Sequence, residues 1–511
     1  MIAIAEKLGL NPKVTFENIL EKLKRTEGIT ASSVEKLENP RLRPKPRDIF
    51  NNLVGGSPYD ASSTITNTVL TFEYITKAAN VTTASFNDMV HQIAVQQKLF
   101  GKSILGATFD TLRTQPKEFI RVLSESIGKK VNRNDLSVAA ELARVMAHDL
   151  HSRYNDAPVN KLARIMNAAS GINAWDIASI RNAVMCSAKI LFLNSRLQFD
   201  KLNVDLRKTL LQYGIESKDW DLIRKNPFKD KNGRGYITVD SSGYSKESIA
   251  EYLGKTIDKI TQEDMDGVKK QARFKLLTMN QDVVDYFRLT PDAVERSLPF
   301  MRGKDFLTRT FMQFKGYPIA LTRRILSLVM ENSIEGFRED GFVGLAKGIV
   351  KDTPVAASYV GEGLLLGYVT NSLLRLTQGK TPLDPKDSTT WIKSAAYSGS
   401  GGLYYSALEK LIQPHGTLDT LASLAGPVWS DINNVGQIVT KEASEQKLAS
   451  ANLYKLISGN LPLINLPYTK EAFNYLIGWR IFEITAPKAF RRMIKKEQGN
   501  WIINPKEYLG S

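Results

Sequence analysis

The chain has 511 residues, 42% of them apolar and 9% aromatic, which is enough to build packed cores and excludes a chain that is disordered throughout. Lysine and arginine number 69 against 53 acids, a formal net charge of +16, so the expected partners are anionic: nucleic acid or a lipid surface. One cysteine, Cys186, rules out an intrachain disulfide and any multi-cysteine metal site, and four histidines leave little material for zinc.

From the N-terminus, Met1 to Leu10 has no basic n-region and no apolar core, so no targeting signal is expected there and synthesis in a cytoplasm is. Residues 39–48 hold three prolines and four basic residues against one acid, and read as an extended linker after a short helical piece. Beyond it the apolar spacing is helical. Val138, Leu142, Val145, Met146 and Leu150 fall on one side of a helix, and similar patterns recur at 175–197, 201–213, 283–287, 319–334 and 472–484. The best strand signal is Tyr236–Val239, between turn-like runs at 232–235 and 241–243. The expected fold is mainly α: an elongated multi-helix array with at most a minor β-hairpin. The expected units are 1–47, 48–230, 231–340, 341–440 and 441–511. No fixed repeat period shows on inspection.

Enzyme templates fail one after another. Gly-Lys-Ser/Thr triplets start at Gly101, Gly254 and Gly379, but a phosphate loop needs a glycine five residues earlier, where Gln96, Ile249 and Leu374 stand. The run Gly361–Gly367 misses the dinucleotide spacing and suits helix packing better. His148 and His151 lie three apart on a helix, with no third metal ligand indicated. No nucleophile elbow and no His-Glu-x-x-His helix occurs. No catalytic, metal or cofactor-binding residue is assigned, no cofactor is expected, and the chain is read as a non-enzyme.

Two stretches suggest binding instead. After Pro487, Lys488, Arg491, Arg492, Lys495 and Lys496 follow the i, i+3, i+4, i+7, i+8 spacing of one helix face, with Phe490, Met493 and Ile494 elsewhere. Such a row suits phosphates of DNA or lipid headgroups. Residues 353–374 form a 22-residue stretch whose one charge is Glu362. Its length approaches the roughly 20 apolar residues that a bilayer crossing needs. An acid at mid-helix would cost about 3 kcal/mol in lipid, so Glu362 is expected to be a buried acid facing a bundle interior or water. A buried helix, with conditional membrane insertion as the alternative, is the expectation here.

Phe306, Phe311, Phe314 and Tyr317 cluster around Gly316 and Pro318, a helix end followed by a helix start. Within this cluster Gln313-Phe314-Lys315-Gly316-Tyr317-Pro318 resembles the "QFK-aromatic-P" signature of large helical proteins from tailed phages, the polyvalent and internal virion (ejection) proteins of T7-like podophages. Other elements occur in the family's order. Gly171-Ile172-Asn173-Ala174-Trp175 with Arg181 resembles a Gly-Leu-x-x-Trp element, and Tyr213-Gly214-Ile215 with Asp219-Trp220 and Arg224 resembles "YGI…DW…R". Ala425-Gly426-Pro427 and the run from Asn460 to Phe490 are similar to its closing elements. The resemblance covers roughly residues 48–501. It implies a protein of the capsid interior, made in the host cytoplasm and ejected into the host cell envelope, where it helps build a conduit for genome delivery. The implied partners are other ejection proteins and the portal, non-specific double-stranded DNA, the host membrane, and further copies in a homo-oligomeric ring. Some family members carry an N-terminal lytic transglycosylase, so peptidoglycan cleavage is the alternative function. Ser124-Glu125-Ser126 lacks the Gly-Leu-x-Gln context that this activity uses, and the chain is expected to correspond to a C-terminal part or a separately encoded version.

Overall fold

A computed structural model describes residues 85–126, 169–229, 233–239, 243–289, 319–398, 472–485, 487–496, 499–502 and 504–505. These residues are mainly helical, and the one sheet among them is a two-stranded antiparallel hairpin. Helix α1, Asp88–Phe100, is the hub: all thirteen of its residues are buried. It ends at Gly101, whose φ of 62° lets its N–H turn back to the carbonyls of Gln96 and Gln97. Helix α2, Ile104–Ser126, follows at once and runs through Pro116.

Helix α3, Ile172–Leu193, buries Ala174, Trp175, Ala178 and Ile180 against α1 and α2. Two short helices come next, α4 (Val204–Gln212) and α5 (Ser217–Arg224). The Asn203 side chain accepts from the Asp205 N–H at the start of α4, and Glu216 and Asp219 form a capping box on α5. The hairpin pairs β1 (Phe228–Lys229) with β2 (Gly235–Tyr236) in the register Phe228 to Tyr236. This is shorter than the expected strand at 236–239. Ile237 leaves the ladder because its N–H donates to the Ala188 carbonyl of α3 at 3.0 Å, which seats the turn on that helix.

Helix α6, Lys246–Leu253, and the 27-residue α7, Gln262–Arg288, are capped by Ser245 and by a Thr261/Asp264 box. After a π-helical turn at Leu321–Leu326 comes α8, Glu331–Thr377, which breaks at Asp340 and Gly341 into limbs 331–339 and 342–377. Gly341 takes φ 60° at the bend. The limbs approach backbone to backbone: a Cβ on Gly336 would strike the Gly344 carbonyl, and one on Gly348 would strike Asn332 and Ser333. Helix α9, Ser388–Ser398, packs on the second limb, where Gly367 lies directly against the Ser394 carbonyl. At the C-terminal end are α10 (Trp479–Thr485) and α11 (Pro487–Lys496). Thr381 N–H donates to Asn500 at 2.8 Å and Ile502 N–H to Gly379 at 2.8 Å, tying residues 500–502 to the end of α8.

One apolar cluster gathers α1, α3, α4, α5, α7, the π-helical turn and Tyr359 of α8. It takes residues from both sides of 230 and 340, so two of the expected unit boundaries run through a shared core. The cause is α1, which offers its whole circumference to helices far apart in sequence. The remaining boundaries, the helix expected at 138–151 and the Pro/Arg-rich linker at 39–48 lie outside the described residues.

Candidate functional site

The basic row is where the sequence put it. In α11, Lys488, Arg491, Arg492 and Lys495 are exposed, while Phe490 is only 2% exposed. Phe490 packs edge-on to Phe482, with ring centroids 5.9 Å apart, and lies 6.2 Å from the Trp479 ring. Met493 and Ile494 add to the same small cluster. The apolar side thus anchors the helix and leaves its cationic side in solvent, where phosphates can reach it. Lys496 is its last residue.

Glu362 turns toward the bundle, as expected, but the residue is not fully buried. It is half-buried, on the 342–377 limb. Its Oε1 accepts from Thr108 Oγ1 of α2 at 2.7 Å and from Ser358 Oγ at 3.0 Å, while Oε2 has no partner. Desolvation raises its pKa, with the two hydroxyl donors pulling the other way. The surrounding segment is half-exposed instead of buried: Tyr359, Gly363, Gly367 and Thr370 face inward, while Val360, Leu365, Val369 and Leu373 are exposed. Among the described residues no helix is long and apolar enough to cross a membrane.

The family-like elements that fall within the described residues are structural struts. Trp175 is 1% exposed, its Nε1 donates to Asp88 of α1 at 3.2 Å, and its ring meets Phe86 and Phe119 edge-on. Arg181 pairs with Glu125 at 2.8 Å, which places the acid of Ser124-Glu125-Ser126 in an ion pair at the end of α2. Gly214 takes φ 68°, Ile215 and Trp220 are fully buried, and Trp220 Nε1 donates to the Leu197 carbonyl at 2.9 Å. Asp219 receives Lys275 Nζ at 2.7 Å and Tyr252 OH at 3.1 Å. The Gln313–Pro318 box, His148, His151 and Ala425–Pro427 lie outside the described residues. Just beyond the box, Ile319 to Leu321 are buried, and Arg324 donates to the Asp285 carbonyl at 2.9 Å.

The three Gly-Lys-Ser/Thr triplets resolve into helix ends. Gly101, Gly254 and Gly379 take φ of 62°, 64° and 68° at the C-termini of α1, α6 and α8, where a left-handed residue closes the last turn.

Two features escaped sequence reasoning. The first is the polar lining of α1. His91 Nδ1 lies 3.0 Å from Tyr359 OH, Gln96 donates to Thr111 at 2.7 Å, Gln97 to Ser358 at 3.3 Å, and Lys98 to Asp352 at 2.6 Å. Burial pulls the His91 pKa down to about 3, so the ring is neutral. Burial opposes charge on Asp352, but hydrogen bonds from Lys98, Ser333 and Asn332 outweigh it and hold its pKa below the usual carboxylate value. No local signal marks these pairs, since Lys98 and Asp352 are 254 residues apart.

The second is a cleft of about 380 Å³ between α1, α4, α7 and the π-helical turn. Lys98, Lys208, Arg323 and Arg324 line it, matched by Asp205, Asp282, Asp285 and Glu331. Burial raises the pKa of Asp205; in Glu331 the nearby Glu335 adds to the same effect. Tyr213 OH donates to Asp282 at 3.0 Å. Cations and anions line the cleft in equal number. Among the described residues no group of three His, Cys, Asp or Glu is placed to hold a metal ion. Searches against protein-family models, curated proteins and solved structures return no match.

Proposed function

We propose that this protein is a non-enzymatic structural component of a tailed-phage particle. It is stored with the packaged genome in the capsid interior and ejected into the host cell envelope, where it contributes to the conduit for DNA. The observation that carries this reading is the exposed row Lys488, Arg491, Arg492 and Lys495 on a helix anchored by Phe490. Such a row contacts phosphates without reading bases. The +16 charge and the elements that resemble internal virion proteins support it, two of those elements serving as core struts around Trp175 and Trp220. In this reading the protein assembles as a homo-oligomeric ring with other ejection proteins and the portal, and touches double-stranded DNA and the host membrane.

Mass spectrometry of purified particles tests residence in the virion: the chain is expected in stoichiometric multiples per capsid. Changing Lys488, Arg491, Arg492 and Lys495 together to glutamine should flatten the salt dependence of DNA affinity by up to about 3.6 units of log K per log salt. Absence from particles, or clearing of purified peptidoglycan in a zymogram, overturns the reading.

A further inference from the structure

The bundle around α1 buries polar groups while leaving apolar stripes outside. Beside the shared apolar cluster, its helices also meet through polar or small groups: Gln96 to Thr111, Gln115 to Ser179 at 2.8 Å, Gln97 to Ser358, Lys98 to Asp352, and the bare backbone of Gly367 on Ser394. Two of its outer faces carry apolar stripes. On α2, Leu105, Phe109, Leu112 and Ile120 follow i, i+4, i+7, i+15, a single stripe, and Leu105 is 83% exposed. On the 342–377 limb, Leu365, Val369 and Leu373 form a second stripe at i, i+4, i+8. The stripes border one contact, the hydrogen bond from Thr108 to Glu362, with Phe109 next to one end and Leu365 one turn beyond the other.

The charges beside the stripes are of one sign. Arg113 and Lys117 are the exposed charged residues of α2; its acids Asp110, Glu118 and Glu125 are each half-buried and paired with Lys102, Arg121 or Arg181. The 342–377 limb exposes Lys347 and Lys351, while its acids Asp352 and Glu362 are buried or half-buried in polar contacts. Apolar stripes flanked by unopposed cations match anionic headgroups over hydrocarbon. A second copy of a +16 chain would instead bring cations against cations.

We propose that the outer faces of α2 and the 342–377 limb form a seat for the surface of an anionic lipid bilayer. The helices lie in the interface without crossing it. This names the lipid-facing surface behind the membrane contact of the proposed function and rests on that contact, though not on residence in a particle.

The test uses the full chain in a Cys186→Ala background, with one cysteine placed by Phe109→Cys, Leu365→Cys or, as a control on exposed Lys270, Lys270→Cys. Each is labelled with an environment-sensitive fluorophore and mixed with vesicles of equal phosphatidylcholine and phosphatidylglycerol, or of phosphatidylcholine alone. The expected result is a blue shift at 109 and 365 with the anionic vesicles and none at 270. Unlabelled Phe109→Gln/Leu365→Gln, folded by circular dichroism, should partition at least about tenfold more weakly. No shift at 109 and 365 overturns the proposal, as does a shift that grows with protein concentration without lipid, or unchanged partitioning of the glutamine variant. Vesicle binding abolished by the four α11 glutamines, with 109 and 365 unshifted throughout, would refute this seat and leave the basic-helix reading intact.

Discussion

Asp352 offers the sharpest test of the packing around α1. Its side chain is 4% exposed and that of Lys98 7%, and the pair is 2.6 Å apart. Asp352→Ala would strand the ammonium in the interior and take the acceptor from Asn332 Nδ2, Ser333 N–H and Ser333 Oγ. Removing one partner of a buried pair costs about 3–5 kcal/mol. Lys98→Met is the milder change, because three donors at 2.7–2.8 Å still satisfy the carboxylate, and about 1–3 kcal/mol is expected. The double variant Lys98→Met/Asp352→Leu should cost at least 1 kcal/mol less than the two single costs combined, since neither charge is left alone. Urea unfolding followed by tryptophan fluorescence measures all three, with Trp175 and Trp220 reporting from α3 and the shared core. If Asp352→Ala loses under 1 kcal/mol, or Lys98→Met loses more than Asp352→Ala, the pair does not hold the helices as argued.

Acid should weaken the protein through His91. Its native pKa of about 3 lies below the ordinary 6.5, so between these values the unfolded chain binds a proton that the native state refuses. Stability then falls as pH drops below 6.5, by about 1.4 kcal/mol per unit and so about 2 kcal/mol at pH 5. His91→Gln should remove that part of the slope, and an identical loss between pH 7.5 and 5 in both proteins would sink the assignment. Gly367→Val forces a side chain into the Ser394 carbonyl and should cost about 1–3 kcal/mol; a thermal midpoint equal to that of the parent would show that α8 and α9 do not meet there. Trp220→Phe loses the bond to the Leu197 carbonyl and leaves space in a fully buried site, for about 2–3 kcal/mol by denaturant titration. A loss within error of zero would argue against Trp220 as a strut.

Helices that bury an ordinary apolar stripe were readable from spacing. The pattern at 201–213 became α4, and that at 283–287 became the last turns of α7, where Val283 and Phe287 enter the core. The basic row of α11 was equally plain, since cation spacing and a buried Phe490 follow from one period. What the sequence hid was α1. Asp88, His91, Gln92, Gln96, Gln97 and Lys98 look like a solvated helix, and only partners on α2, α3 and α8 make their burial tolerable. The same blindness reverses the reading of residues 353–374, where apolar side chains suggested burial all round and half of them face outward. Local hydrophobicity reports the preferred medium of a side chain, not which neighbour a distant stretch of chain will supply.

The polar lining of α1 also constrains how the protein comes into being. Lys98 meets the Asp352 carboxylate, and His91 the Tyr359 hydroxyl, only when residues 352–359 exist, more than 250 residues later. At translation rates of about 5–20 residues per second, that interval is roughly 13–50 s, during which this helix has exited the ribosome with its counterparts still unmade. Until then its buried-to-be charges favour water, which would keep the nascent segment open and delay compaction to the moment the second limb of α8 arrives.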